Sequence, residues 1–266
     1  MRVRWLGWAG VEVQAEGESV VVDPLQDAGA VFAALGERAQ QTLPQVVPAL
    51  AQGSARAGLV THLHRDHTDA AALTAALAPD AEVWAPPAAG GAEAENLGLA
   101  QALAELEARS IEPRQSAPWS AGVAGPFALT ALPAVDGLGD PQVSWLIDAG
   151  GRRVLHLGDT VFHGALWRIA QRHGPFDAVF VPINGAAVDF PHRQPPSPLP
   201  VVLDPEQAAL AAAMLRARVA VPIHYGGYVV PPWYRPAEDA LERFQRACAE
   251  HGLQVRVLEP GESFEL

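Results

Sequence analysis

The sequence predicts an α/β protein built as an αββα four-layer sandwich, in which two packed sheets are covered by helices on their outer faces. Each half of the chain opens with consecutive strand-like segments and then alternates strands with helices, which is the pattern of such layered architectures. The 266 residues are 49% apolar, enough for a sizeable core. We therefore expect one domain that spans residues 1–266.

In the first half, three short segments rich in β-branched and alternating residues predict an antiparallel meander that ends at Asp23-Pro24. Helical character follows, interrupted by proline and glycine, before strands and helices alternate. The predicted strands are 3–6, 11–14, 19–22, 58–61 and 82–85. The predicted helices are 28–35, 44–52, 69–78 and 97–108.

The second half repeats this order without a clear internal repeat in its residues. Its predicted strands are 127–132, 143–148, 153–157, 178–181, 219–223 and 254–258. Its predicted helices are 164–172, 205–217 and 238–250. Four prolines within residues 194–201 predict a stiff extended loop, either at the edge of a site or as a rigid surface connector.

Charge and composition exclude several classes of protein. With 30 acidic and 18 basic residues the net charge is -12, which disfavours a nucleic-acid partner. The single Cys248 cannot form an intrachain disulfide and lies in a helical pattern. No apolar stretch is long enough to span a bilayer, so we expect a cytoplasmic protein. A homo-oligomer is compatible with the sequence.

One segment concentrates potential metal ligands, because His62, His64, Asp66 and His67 lie within six residues between a strand and a helix. Imidazole and carboxylate are the ligand types that suit zinc, iron and manganese. The alternative is a polar surface loop that is rich in histidine by chance. Metal sites normally draw ligands from several segments, so the metal interpretation needs partners elsewhere in the chain.

Two such partners follow later predicted strands. Asp159 comes directly after the strand at 153–157, and His224 directly after the strand at 219–223. Side chains at the ends of neighbouring strands converge in space. Taken alone, each residue also fits a structural role: Asp159 in a turn or helix cap, His224 in a hydrogen bond.

Together these segments resemble the metallo-β-lactamase superfamily. The resemblance rests on the His-x-His-x-Asp-His motif at 62–67, Gly-Asp-Thr at 158–160 and Pro-Ile-His-Tyr-Gly at 222–226, and the opening meander extends it over nearly the whole chain. Pro-Ile-Asn-Gly at 182–185 and His-Leu-Gly-Asp-Thr at 156–160 are similar to the branch of metal-dependent hydrolases that includes ascorbate-6-phosphate lactonase.

The resemblance implies a centre of two divalent ions, with zinc expected first and manganese or iron as alternatives. His62 and His64 would hold the first ion, and Asp66, His67 and His224 the second. Asp159 would bridge the two ions. This set predicts metal-dependent chemistry rather than a covalent route, since no serine or cysteine nucleophile motif is present.

One position departs from the family pattern. Asp136 stands where the family supplies a further histidine to the first ion. It could coordinate that ion directly, which would favour manganese or iron over zinc, since these ions prefer oxygen ligands. It could instead act through a water, or be a plain turn residue in Asp-Gly-Leu-Gly-Asp at 136–140.

The function implied is a hydrolase in which hydroxide held by the two ions attacks an ester, lactone or amide of a small molecule, with Asp66 as the proton shuttle. One alternative is a phosphodiesterase that acts on a small phosphoester or phospholipid. Another is a metal-binding protein without turnover, in which Asp136 marks a degraded first site.

Further residues are candidates for contacts with the ligands or the substrate, and each also has a purely structural interpretation. Arg193 could bind an anionic group, Tyr225 or His163 could donate to a developing oxyanion, and His156 could support a ligand. The full set of candidates is His156, His163, Asn184, His192, Arg193 and Tyr225.

Overall fold

The computed structural model describes residues 1–32, 37–90, 97–191 and 193–266. The helices are α1 (Ala28–Phe32), α2 (Glu37–Gln40), α3 (Ala70–Ala76), α4 (Leu97–Glu107), α5 (Ala165–His173), α6 (Pro205–Met214) and α7 (Ala240–Glu250). The strands of the first half are β1 (Arg2–Gly7), β2 (Gly10–Ala15), β3 (Glu18–Val22), β4 (Ala55–Leu59), β5 (Leu77–Ala85), β6 (Arg114–Gln115) and β7 (Ala121–Ala124). Those of the second half are β8 (Phe127–Pro133), β9 (Val143–Ala149), β10 (Arg152–His156), β11 (Phe176–Pro182), β12 (Ala187–Val188), β13 (Ala217–Ile223), β14 (Tyr234–Arg235), β15 (Gln254–Val255) and β16 (Ser263–Glu265).

Two large sheets form the centre of the protein. The first has the strand order β16-β1-β2-β3-β4-β5-β6 and the second has the order β15-β13-β11-β10-β9-β8-β7. In each sheet an antiparallel meander continues into parallel strands, namely β3 with β4 and β5 in the first, and β10 with β11 and β13 in the second. The carboxyl ends of parallel strands share one sheet edge, which is where the site lies.

The apolar residues separate into layers that match the predicted sandwich. Trp5 and Leu59 of the first sheet pack against Trp145 and Phe180 of the second in a buried core between the sheets. A second core lies between the second sheet and α5, α6 and α7, and another between β4, β5 and the helices α3 and α4. The αββα prediction is therefore confirmed.

The predicted helix at 44–52 is wrong. This segment contains neither helix nor strand, and its amides bond to other elements: Val47 donates to the Leu6 carbonyl at 2.8 Å, and Leu50 and Ala51 donate to the buried carboxylate of Glu12 at 2.9 and 3.0 Å. Two prolines remove donors that a helix would need. A buried carboxylate that needs donors therefore outweighs local helical propensity.

Other differences concern the edges of the sheets. The predictions missed the short strands β6, β7, β12, β14 and β16, which are two to four residues long and have little periodicity.

Among the described residues no helix is both long and apolar enough to cross a membrane.

Candidate metal centre

The histidine motif occupies the turn between β4 and α3. The Asp69 side chain caps α3 by accepting from the amides of Ala71 and Ala72 at 2.8 and 3.0 Å, so the helix begins immediately after the motif. Thr68 donates its hydroxyl to the His62 carbonyl at 3.0 Å and closes the turn. Leu63 of this loop packs with the residues of α3 and α4, and Arg65 donates to Glu105 of α4 at 2.8 Å, whereas the remaining side chains of the motif are those of the site.

The structure brings the predicted ligands together in two groups. One group contains Asp66, His67, Asp159 and His224, and the other contains His62, His64 and Asp136. Within each group one potential ligand atom per residue lies within 4.8 Å of all the others. Each group combines residues of the motif after β4 with residues that follow strands of the second sheet.

The four-residue group, here called group B, is tightly convergent. The Nε2 atom of His67 lies 3.3 Å from Asp159 Oδ1 and 3.7 Å from Asp66 Oδ2. The Nε2 atom of His224 lies 3.0 Å from Asp159 Oδ2 and 3.5 Å from Asp66 Oδ2. Two carboxylates therefore face two ring nitrogens with no lysine or arginine among the four.

The three-residue group, here called group A, contains the residue that departs from the family pattern. His62 Nε2 and His64 Nδ1 lie 2.9 Å apart. Asp136 is buried beside them, and its Oδ2 atom accepts from the amides of Leu138 and Asp140 at 2.9 and 3.1 Å. Asp136 thus takes part in its own turn and also reaches the group.

The electrostatics of group B call for positive charge. Burial raises the pKa of Asp159, but the charges of His224 and His67 outweigh it and hold this pKa well below its ordinary value. Burial lowers the pKa of His67, but the carboxylates of Asp159 and Asp66 outweigh it and hold that pKa well above the ordinary value. Burial lowers the pKa of His224, but Asp159 and Asp66 outweigh it and raise this pKa as well, so positive charge on both rings balances the two partly buried carboxylates.

In group A the surroundings shift the pKa values towards the neutral forms of His62 and Asp136. Burial and the neighbouring charges of His67 and His64 hold the pKa of His62 well below its ordinary value. Burial raises the pKa of Asp136. His62 is therefore neutral, the state in which an imidazole nitrogen coordinates a metal.

Two carboxylates that the sequence analysis did not assign orient the histidines. Asp23 Oδ2 lies 2.7 Å from His67 Nδ1, and Asp140 Oδ2 lies 2.7 Å from His64 Nε2. A carboxylate on one ring nitrogen fixes the tautomer and directs the other nitrogen, which is the usual arrangement behind metal-bound histidines. In both rings the remaining nitrogen faces its group.

Asp23 also organises the start of the motif. Its Oδ1 accepts from the Thr61 amide at 2.8 Å, and its Oδ2 accepts from the Thr61 hydroxyl at 2.6 Å. This contact follows from the topology, since β3 and β4 are parallel neighbours and the Asp23 amide donates to the Leu59 carbonyl at 2.9 Å. The position at the end of a strand beside the motif was the signal that could have identified Asp23.

Trp8 and Gln142 are further contacts that the sequence did not reveal. Trp8 donates from Nε1 to Asp66 Oδ2 at 3.1 Å, and its ring lies 3.9 Å from the ring of His224. The carbonyl of Trp8 accepts from the His224 amide at 2.9 Å, which helps to hold His224 at a φ of 56°. Gln142 accepts from the Asp159 amide at 3.1 Å and steadies that turn.

The other predicted candidates do not join the two groups. His156 bonds through Nε2 to the Ala9 carbonyl at 2.8 Å and accepts from the Gly158 amide at 3.2 Å, so it supports the turn that precedes Asp159. Tyr225 stacks on Trp5 with ring centroids 5.6 Å apart. Both rings are thus structural supports next to the site.

Three more candidates have separate surroundings, and one cannot be placed. Asn184 donates to the Tyr234 hydroxyl at 2.6 Å, and Arg193 donates to Asp140 and to the Leu138 carbonyl. The Nε2 atom of His163 is buried and makes no hydrogen bond to any residue that the structure describes. His192 lies outside the described residues.

The two groups fit divalent ions. Within the described ranges, His67 Nε2, His224 Nε2 and Asp159 Oδ1 are buried atoms with no hydrogen-bond partner, although they lie close to one another. Buried polar atoms without partners are costly unless something else binds them, and buried carboxylates require a cation. Imidazole and carboxylate donors in this arrangement are the ligand set of zinc, manganese or iron sites.

Comparison with known proteins agrees with a metal centre in this fold. A family model for the β-lactamase superfamily domain matches residues 18–225. A protein of Methanopyrus kandleri named as a metal-dependent hydrolase is 28% identical over 273 residues, which cover 100% of both chains.

Solved structures share the fold. A metallo hydrolase of Ignicoccus hospitalis has a TM-score of 0.66 and 22% identity, and the match covers 100% of this chain and 98% of that one. A diiron β-hydroxylase of Streptomyces venezuelae has a TM-score of 0.72 and 17% identity, over 100% of this chain and 54% of that one. The same architecture thus occurs in proteins with different chemistry.

Proposed function

The chain belongs to the β-lactamase superfamily and is a metal-dependent hydrolase, and from this premise we propose that it cleaves an ester, lactone or amide bond of a small molecule. The observation that supports this proposal is the convergence of groups A and B from both sheets onto one buried region. Group A, comprising His62, His64 and Asp136, would hold one divalent ion. Group B, comprising Asp66, His67, Asp159 and His224, would hold the other.

Divalent ions at such a centre lower the pKa of water and polarise the oxygen of the electrophile. The residues of the chain have their own tasks. Asp66 is suited to proton transfer, because its side chain is 22% exposed while that of His67 is fully buried. We infer that Asp66 accepts a proton from the attacking water and passes it to the leaving group.

Trp8 prepares Asp66 for this task. Its indole donates to Asp66 Oδ2 at 3.1 Å, which fixes the rotamer of the carboxylate and favours its ionised form. Burial raises the pKa of Asp159 and of Asp66, but the neighbouring His224 and His67 outweigh it and hold both values below the ordinary one, so both carboxylates are ionised. Asp66 differs from Asp159 in its greater exposure, 22% against 14%, and in its contact with Trp8, and these two differences support its assignment to proton transfer.

The ester, lactone or amide proposal is preferred over a phosphodiesterase. Neither group contains an arginine or a lysine that would bind a phosphoryl group, and the guanidinium of Arg193 already bonds to Asp140. A metal-binding protein without turnover is also disfavoured, because Asp136 lies beside His62 and His64, where a third ligand would lie. The lactonase branch of the family stays a prediction.

An assay panel tests the reaction class. Chromogenic esters, lactones, amides and bis-phosphate esters would be offered to the protein loaded with zinc or with manganese. We expect turnover in the carbonyl series and a loss of at least about 100-fold in kcat for Asp66→Asn, as is typical of general acid–base residues. Turnover of the phosphate esters alone would contradict the proposal, as would silence with every substrate and metal.

Asp136 provides a test of metal identity. Four imidazoles in the seven candidate ligands favour zinc, whereas Asp136 adds an oxygen donor that favours manganese or iron. After equilibration with equal zinc and manganese, we expect Asp136→His to raise the proportion of zinc and Asp136→Ala to lose close to one ion per chain. Metal content is measured by mass spectrometry. Unchanged content in Asp136→Ala would remove Asp136 from the ligand set.

A further inference from the structure

We propose that Arg193 is a positioning residue for group A, acting through Asp140 and the turn at 136–140. The inference rests on the proposed two-ion centre but assigns a role that the ligand set does not contain. It replaces the expectation that Arg193 binds an anionic substrate, since its guanidinium is engaged within the protein.

Arg193 holds two separate points of the same turn. One terminal nitrogen donates to Asp140 Oδ2 at 2.7 Å, and the other donates to the Leu138 carbonyl. The side chains of Arg193 and Asp140 are 26% and 13% exposed, so this pair is shielded in part from water. A planar guanidinium with two acceptors fixes the turn in position and in orientation.

The turn delivers two of the atoms on which group A depends. Asp140 Oδ2, the atom that binds Arg193, also lies 2.7 Å from His64 Nε2 and so sets the ring that presents Nδ1 to His62. The amides of Leu138 and Asp140 donate to Asp136 Oδ2. A displacement of the turn would therefore misplace His64 and Asp136 together.

The contact also connects the site to the proline-rich segment that follows Arg193. At the other end of this segment, the Val201 carbonyl accepts from the Gly137 amide at 3.1 Å. A Cβ atom on Gly137 would lie 2.2 Å from that carbonyl oxygen, so the backbones of the two segments approach each other at a distance that requires glycine at this position. The proline-rich segment is thus attached at both ends to the turn of group A.

This arrangement predicts a selective effect on one ion. Removal of Arg193 leaves Asp140 without its cationic partner and frees the turn, while group B keeps its support from Asp23 and Trp8. Residues that orient metal ligands typically change metal affinity by 10–100-fold. We expect the affinity of group A for its ion to fall roughly tenfold and that of group B to stay within about twofold.

The test is a calorimetric titration of the metal-free protein with zinc and, separately, with manganese. The variants are Arg193→Met, Arg193→Lys and Asp140→Asn, with Arg56→Met as the matched control. Arg56 bonds to the Glu18 carboxylate at 2.8 and 2.9 Å in an exposed pair that touches neither group. Arg193→Lys should restore the affinity only in part, because an ammonium is a point charge without the planar fork.

The outcomes separate this inference from the proposed function. Selective weakening of the ion at group A in Arg193→Met supports it, with no further loss when Arg193→Met is added to Asp140→Asn and with a melting temperature of the metal-free variant equal to that of Arg56→Met. A lower melting temperature than that of Arg56→Met, with both ions weakened, would contradict it. Two unchanged affinities, equal weakening of both ions, or fully additive losses would overturn the inference alone. A wild-type protein that binds neither zinc nor manganese would overturn the proposed function as well.

Discussion

Replacement of Asp159 by alanine is expected to cause the largest loss of function in this protein. Asp159 lies nearer than Asp66 to both His67 Nε2 and His224 Nε2, at 3.3 and 3.0 Å against 3.7 and 3.5 Å. Its loss would remove the carboxylate nearest to the two histidines of group B and leave Asp66 as their remaining acidic neighbour. We expect kcat/KM to fall by more than the roughly 10–100-fold typical of residues that only orient a ligand.

Metal analysis of the same variant identifies the cause. Asp159→Ala should contain fewer ions per chain than the wild type, and added zinc or manganese should restore activity only in part. Asp148→Ala is the control, since Asp148 is an exposed carboxylate on β9 that bonds to Arg153. Full metal content with full activity in Asp159→Ala would exclude Asp159 from the centre.

The second large effect is a loss of metal affinity in Asp23→Asn, a substitution that keeps the shape of the side chain. Asp23 accepts from the Thr61 amide, the Thr61 hydroxyl and His67 Nδ1. An asparagine that keeps its oxygen towards Thr61 presents its NH₂ group to His67. The ring must then accept at Nδ1 and carry its proton on Nε2, the nitrogen that faces group B.

A proton on that nitrogen blocks coordination, so the metal affinity of group B should fall about 10–100-fold. Titration of the metal-free protein measures the affinity, and nitrogen NMR of the histidine rings reports the tautomer. Asp69→Asn is the matched control, because Asp69 lies beside the same motif but caps α3, a task that asparagine also performs. An Asp23→Asn protein with the wild-type tautomer and affinity would contradict this account.

The fold was largely predictable because hydrophobic periodicity is a local signal. The meander of β1 to β3 and the later alternation of strands and helices follow directly from residue patterns. The segment at 44–52 was mispredicted because its conformation depends on the buried carboxylate of Glu12, which is distant in the sequence. Local propensity cannot register a partner of that kind.

The candidate ligands were also predictable, since metal-binding side chains cluster in motifs and follow strand ends. His62 to His67, Asp159 and His224 could be selected in this way, and the structure brings them together. Asp140 and Arg193 could not, because their contacts depend on a turn and a proline-rich loop that meet only in the folded chain. Support residues of this kind are recognised by what they touch, and sequence spacing does not contain that information.

The division of the proposed ligands between the two sheets has a thermodynamic consequence. His62, His64, Asp66 and His67 follow a strand of the first sheet, whereas Asp136, Asp159 and His224 follow strands of the second. An ion held by both sets binds the folded chain and not the unfolded one, so its binding free energy adds to conformational stability. At a free concentration 100-fold above its dissociation constant, each ion contributes about 2.7 kcal/mol. Removal of each ion by a chelator should therefore lower the melting temperature. The supply of metal in the cell would then affect the lifetime of the folded protein as well as its catalytic activity.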